Sequence, residues 1–262
     1  MPRLLLAFLC LPLGFAVSAA SAEPAAAEAF VDRIEAAHGV AAYRTHAAVA
    51  ADFEIAYPGM FAMAGSIVFD TPVGRSRMEL DDGSVWVFDG RTAWVAEGSP
   101  TTQRARFHLL TWPYFFAAAT KLRDPGSQLS GPEMLAVKDP DDVRPAVKLT
   151  FDAGVGDSPE DWYHAFADEQ GRLDALGYIV TYGKGRAAAE ESPSICIYDA
   201  FEEIDGVTVP VAWTTWPWRP TEGIVGETHK GKTRFTNVRF VEPEPGTFTK
   251  PDGATEQAAP GG

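Results

Sequence analysis

Asp52-Phe53-Glu54-Ile55-Ala56-Tyr57 and Arg75-Ser76-Arg77-Met78-Glu79-Leu80-Asp81 are the stretches that decide the fold. Successive side chains on a strand point to opposite faces, so Phe53, Ile55 and Tyr57 share one face while Asp52, Glu54 and Ala56 share the other. Ser76, Met78 and Leu80 alternate with Arg75, Arg77, Glu79 and Asp81 in the same way. This is the pattern of antiparallel strands with one dry and one wet face. Turn signals lie close by, at Pro58-Gly59, Thr71-Pro72-Val73-Gly74, Asp81-Asp82-Gly83 and Asp89-Gly90. Strands joined by turns that tight form a meander.

Working outward toward the C-terminus, the style repeats. Val147, Leu149 and Phe151 alternate with Lys148, Thr150 and Asp152; Trp162, His164 and Phe166 share a face, as do Leu176, Tyr178, Val180 and Tyr182. Further strands are expected at 195–201, 207–216 and 233–241. Roughly ten to twelve strands are too many for a flat open sheet, so the expectation is a mainly β fold with some helix, its antiparallel sheet curled into a half-barrel. No long linker divides residues 23–241, which read as one domain. Residues 242–262, rich in Pro, Gly and Glu, read as a disordered tail.

Two segments break the alternation. Residues 24–39 place Ala27, Phe30, Ile34 and Ala37 at helical spacing and end at Gly39, an amphipathic N-terminal helix. Residues 101–124 lack period two and end at Pro125-Gly126. They are expected to form a helical insertion on the concave face, kinked or split at Pro113, a residue suited to the first turn of a second helix. Only Thr111 is strictly polar between Leu109 and Ala119, so this helix must be buried on more than one face.

Arg3, the apolar run Leu4–Val17 and Ala20-Ser21-Ala22 have the order of a cleaved secretory signal, residues 1–22. The run is too short for a stable membrane span, which needs about 20 residues. Cleavage would remove Cys10 and leave Cys196 without a disulfide partner, in a strand-like apolar run where a thiol packs as a small hydrophobe. The net charge of −14 repels phosphate backbones and argues against nucleic-acid binding. His38, His46, His108, His164 and His229 are scattered, and the sequence has no nucleophile elbow, P-loop or dinucleotide fingerprint. No catalytic residue, metal site or cofactor is therefore expected.

Gly65-Ser66-Ile67-Val68-Phe69-Asp70-Thr71-Pro72, then Arg75-x-Arg77-x-Glu79, then Val87-Phe88-Asp89-Gly90-x-x-x-Trp94 follow one another in the first meander. With the order helix, meander, helical insertion and further strands, this resembles the LolA-like periplasmic lipoprotein-carrier superfamily, and more closely an uncharacterised branch of it. The resemblance implies a half-open barrel around helices, with a concave apolar face that holds acyl chains. The Arg that helps latch the helical lid in the carriers stands here as Thr71, so the latch itself does not carry over.

The residues expected to line a lipophilic cavity are Phe53, Ile55, Met78, Leu80, Trp86, Phe88 and Trp94 on strands, with Tyr114, Phe115 and Phe116 on the insertion. The insertion is either a removable lid or a permanent core plug. Trp216 and Trp218 form either an exposed rim or a cap on the core. The function expected is that of a soluble, exported periplasmic protein that binds or carries a lipid or lipoprotein acyl group. The alternative is a non-enzymatic interaction or envelope-sensor module with an envelope protein partner.

Overall fold

The structure, a computed structural model, describes residues 22–259. The expected leader lies outside the described residues except for Ala22, where helix α1 (Ala22–His38) begins. Ala27, Phe30, Val31 and Ile34 form the buried stripe of α1. Gly39 ends it in the left-handed conformation, φ 63°, and a Cβ there would lie 2.2 Å from the Gly206 carbonyl oxygen. One further turn, α2 (Val40–Tyr43), leads into the sheet.

Strands β1 (Ala48–Tyr57), β2 (Phe61–Asp70), β3 (Ser76–Leu80), β4 (Val85–Phe88) and β5 (Ala93–Val95) form the first meander. Helix α3 (Ala105–Phe116) and a short 3₁₀ turn then carry the chain to β6 (Ser127–Ala136). The second meander is β6, β7 (Val143–Phe151), β8 (Tyr163–Ala167), β9 (Leu173–Tyr178), helix α4 (Arg186–Glu190), β10 (Ser194–Ile204) and β11 (Val207–Arg219). It is followed by β12 (Gly223–Ile224), β13 (Gly231–Val241) and β14 (Thr255–Gln257). The strand order is β14-β5-β4-β3-β2-β1-β13-β11-β10-β9-β8-β7-β6, with β12 on β11. Strand β13 thus joins the two meanders. The sheet is open, with β14 and β6 at its ends, and the chain crosses from the β5 side to β6 through α3.

The sheet curls around α1 and α3, and its inner face supplies one large apolar core. Within the Gly65–Pro72 motif, Gly65 has φ 154° and a Cβ would sit 2.1 Å from the Glu79 carbonyl oxygen, so β3 approaches β2 more closely there than any side chain permits. A second, smaller core lies on the outer face of β8 and β9. There Trp162 and Phe166 pack with Val137, Ile179, Ala189 and Trp218. Trp218 Nε1 donates to the Ala136 carbonyl oxygen at 2.9 Å, so Trp218 is a cap and not a rim; Trp216 is half-buried.

The curled, open antiparallel sheet is as expected; it has 14 strands, of which β12 and β14 are only two or three residues long. Two expectations are corrected. Pro113 does not open a second helix; α3 runs through it unbroken. Pro113 has no N–H for the Leu109 carbonyl oxygen, and Ser76 Oγ supplies the donor instead at 2.7 Å. The tail is not a free coil up to residue 259: β14 pairs with the edge strand β5, Thr255 opposite Val95 and Gln257 opposite Ala93. Backbone pairing of an open edge needs no apolar composition. Two further contacts hold the segment, Arg75 lying 4.8 Å over the buried Phe248 ring and Lys250 Nζ 4.4 Å over Trp94.

Candidate functional site

Helix α3 presents two faces of different character. Ala105, Leu109, Trp112 and Phe116, spaced along one stripe, are buried. Phe116 packs edge-on to Phe69 and Phe235, at ring separations of 5.4 and 5.3 Å. His108 stacks between Trp86 and Trp112, and Trp112 Nε1 donates to His108 Nδ1 at 3.1 Å. Burial holds the imidazole neutral and pushes its pKa down to about 3. The helix is therefore fixed to the first meander by a dry contact.

The opposite stripe, Phe107, Leu110, Thr111 and Tyr114, touches the second meander through ring contacts, Tyr114 with Tyr163 at 5.3 Å and Phe107 with Tyr182 at 5.1 Å. Beside these contacts lies a cavity of about 730 Å³, lined on the far side by Phe151, Tyr163, Tyr178, Val180 and Tyr182. Phe115 contributes at its edge and packs against Tyr178 at 4.9 Å. The exposed Met60 and the half-buried Phe61, from the β1–β2 hairpin, also line it. The helix is thus both a plug, toward β1–β5, and a wall, toward β7–β10.

The interior of this cavity is uncharged. Tyr57 Oη and Thr215 Oγ1 lie 2.8 Å apart, and Cys196 Sγ is 3.4 Å from the same Thr215 oxygen. Burial pushes the Cys196 thiol up to about 12 and raises Tyr57, Tyr114, Tyr163 and Tyr178 above the ordinary tyrosine range. A thiol held protonated in this way is a poor nucleophile. Asp161 is the exception among the inner groups: it accepts hydrogen bonds from Thr181 N (2.6 Å) and Thr181 Oγ1 (2.7 Å), yet burial outweighs them and lifts its carboxyl to about 6.

Charge is concentrated where the cavity meets the surface. Arg104, Lys121, Asp124, Asp157, Lys184 and Lys230 all line it. Several are already paired: Asp157 takes a bidentate contact from Arg106 (2.6 and 2.8 Å), and Lys121 pairs with Asp124. Among the described residues no group of three or more His, Cys, Asp or Glu is placed to hold a metal ion. No described helix is long and apolar enough to cross a membrane.

Of the residues expected from sequence to line a cavity, Tyr114 and Phe115 do so. Phe53, Ile55, Met78, Leu80, Trp86, Phe88 and Phe116 are instead buried in the core, because the first meander closes directly onto α3. Trp94 points to the outer side of β5, where its Nε1 donates to Asp89 Oδ2 at 2.8 Å. The open space lies on the other half of the sheet. One signal for it was present in the composition: five of the seven tyrosines, Tyr57, Tyr114, Tyr163, Tyr178 and Tyr182, line the cavity. Tyrosine suits a wall that is apolar in body and tolerates polar company at its tip.

No protein-family profile and no curated protein matches the chain by sequence. Solved structures do resemble it. A LolA superfamily protein from Nitrosomonas europaea superposes with a TM-score of 0.52 at 14% identity, covering 86% of this chain and 97% of that one. A domain described as an outer membrane lipoprotein-sorting protein, from Vibrio parahaemolyticus, gives a TM-score of 0.50 at 9% identity, covering 87% and 97%. At these identities the likeness is one of fold. The helix-filled open sheet, its two meanders joined through β13 and its crossing helix α3 together make a LolA-like fold.

Proposed function

We propose that this protein binds the acyl chain of a lipid or lipoprotein in the cavity between α3 and the second meander, and does so in the periplasm. The observation that carries the reading is the cavity itself. Its volume of about 730 Å³ falls within the range of ligand pockets, roughly 300–1,000 Å³, and its walls are aromatic and aliphatic. An acyl chain gains about 0.8 kcal/mol per buried methylene and asks for few directional contacts. Aromatic and aliphatic walls with a protonated thiol suit retention of such a chain better than nucleophilic chemistry upon it. The signal-like residues 1–22 and the likeness in fold to a lipoprotein-sorting domain favour the compartment and the ligand class.

The test is titration of the purified protein with a fluorescent fatty acid. Saturable uptake with one site per chain is expected. Leu110→Trp, which fills the cavity from the α3 side, should reduce that uptake at least tenfold while leaving the fold intact by circular dichroism. Uptake that is absent, or unaffected by filling the cavity, would refute the reading.

A further inference from the structure

Lys184 and Lys230 both line the cavity, and neither has a carboxylate within salt-bridge distance among the described residues, in a chain whose net charge is −14. Lys230 is half-buried, with its Nζ donating to Ser194 Oγ at 2.7 Å and its backbone N donating to the Thr215 carbonyl oxygen at 2.6 Å. The ammonium is thus held in place by β10 and β11 without being neutralised. Lys184, exposed after the Thr181–Lys184 turn, adds a second positive charge that acts on Lys230. Burial and this neighbouring charge both lower the Lys230 pKa, so an anion placed beside the pair relieves an existing repulsion.

The surrounding carboxylates do not serve as that anion. Asp157 is engaged by Arg106 and Asp124 by Lys121, while Asp161 faces inward to Thr181. Asp161 lies near enough to Lys184 to be influenced by its charge, while both of its hydrogen bonds go to Thr181 and it is not within salt-bridge distance of either lysine. Next to the lysines, Ser192 and Ser194 bring hydroxyls to the same wall of the cavity.

We propose that the cavity selects a single-chain amphiphile with an anionic head, a carboxylate or a phosphate, seated against Lys230 and Lys184 with its chain running along Tyr178 and Val180 toward Leu110. This inference rests on the lipid-binding reading above and adds to it the chemistry of the head. Two ammonium groups and a hydroxyl offer charge-assisted hydrogen bonds to an anionic oxygen that a neutral head cannot accept equally well. The preference is therefore a property of the head and not of the chain.

The experiment compares ligands of equal chain length by displacement of a fluorescent fatty acid from the full-length mature protein: palmitate, palmitoyl lysophosphatidate and hexadecanol. Palmitate or the phosphate-headed lipid should bind at least tenfold more tightly than hexadecanol, and which of the two is tighter identifies the head. In K184Q/K230Q that preference should vanish, with hexadecanol affinity unchanged; K184Q alone, at an exposed position, should give a partial loss without risk to the fold. K230R should retain the preference. Equal binding of charged and neutral ligands by the wild type would overturn the inference and leave the lipid-binding reading in place. Equal loss of all three ligands in K184Q/K230Q would likewise overturn it, and binding of none by the wild type would overturn the reading beneath it.

Discussion

Ser76 Oγ donates a 2.7 Å hydrogen bond to the Leu109 carbonyl oxygen, in the place of the N–H that Pro113 lacks. A proline inside a helix ordinarily leaves the carbonyl four residues earlier without a partner, at a cost of about 3 kcal/mol or more with the accompanying clash. Here the donor comes from β3, and the break in the helix ladder becomes a tie between helix and sheet. The dry face of α3 is thereby anchored at its centre.

This tie predicts a non-additive pair. Ser76→Ala alone leaves a buried acceptor unpaired and should cost about 1–3 kcal/mol. In a Pro113→Ala background the helix can supply its own N–H, so the same Ser76→Ala change should cost clearly less. Urea titration of the four proteins measures the coupling, expected at about 0.5–3 kcal/mol. Identical costs in both backgrounds would mean that Ser76 does not stand in for the missing donor.

The two faces of α3 should respond differently to truncation. Phe116→Ala removes a buried ring packed against Phe69 and Phe235 and should destabilise by about 3–5 kcal/mol. Leu110→Ala should cost less, because Leu110 is only partly buried against the core and lines the cavity. Comparable losses at the two positions would show the cavity to be closed in solution.

The buried His108 sets a pH response. Its folded pKa of about 3 lies below the ordinary 6.5, so the native state favours the neutral ring. That contribution is present in full above about pH 6.5 and is lost as the pH falls from 6.5 toward 3, at up to about 1.4 kcal/mol per pH unit. His108→Phe removes the term, though it also strips Trp112 Nε1 of its acceptor. The variant should start less stable at pH 7 yet lose less stability than the wild type between pH 6.5 and 4.5, as read by denaturant titration. Parallel losses would place His108 in contact with water.

The C-terminal segment covers an edge. Deleting residues 242–262 uncovers β5 and removes Phe248, a buried side chain worth about 1.5–3 kcal/mol. The truncated protein should melt at lower temperature and self-associate with rising concentration, since an unpaired edge strand recruits other strands. A truncated chain with the same melting temperature that stays monomeric in light scattering would assign the segment no structural role.

The architecture was legible because its signals are local. Period two in 52–57 and 75–81, the Asp-Gly turns and the helical spacing of Phe30 and Ile34 each act within a few residues, and all of them agree with the elements they form. The position of the cavity was not legible. Phe53 and Met78 alternate on their strands just as Phe151 and Tyr178 do, and nothing within a strand records whether its inner face is closed over by the core or left bordering open space. That outcome depends on how tightly each meander curls, a long-range property. The tail was misread for a related reason: Phe248 and Lys250 are lone anchors, and their partners Arg75 and Trp94 lie far away in sequence.

The central claim is that the space between α3 and the second meander holds an acyl chain. Native mass spectrometry of the protein purified from its native cells tests it most directly. The account predicts a population carrying one lipid-sized adduct per chain, released by mild activation and strongly reduced in Leu110→Trp. A clean mass for the unliganded wild-type chain, unchanged after incubation with palmitate or palmitoyl lysophosphatidate, would contradict it.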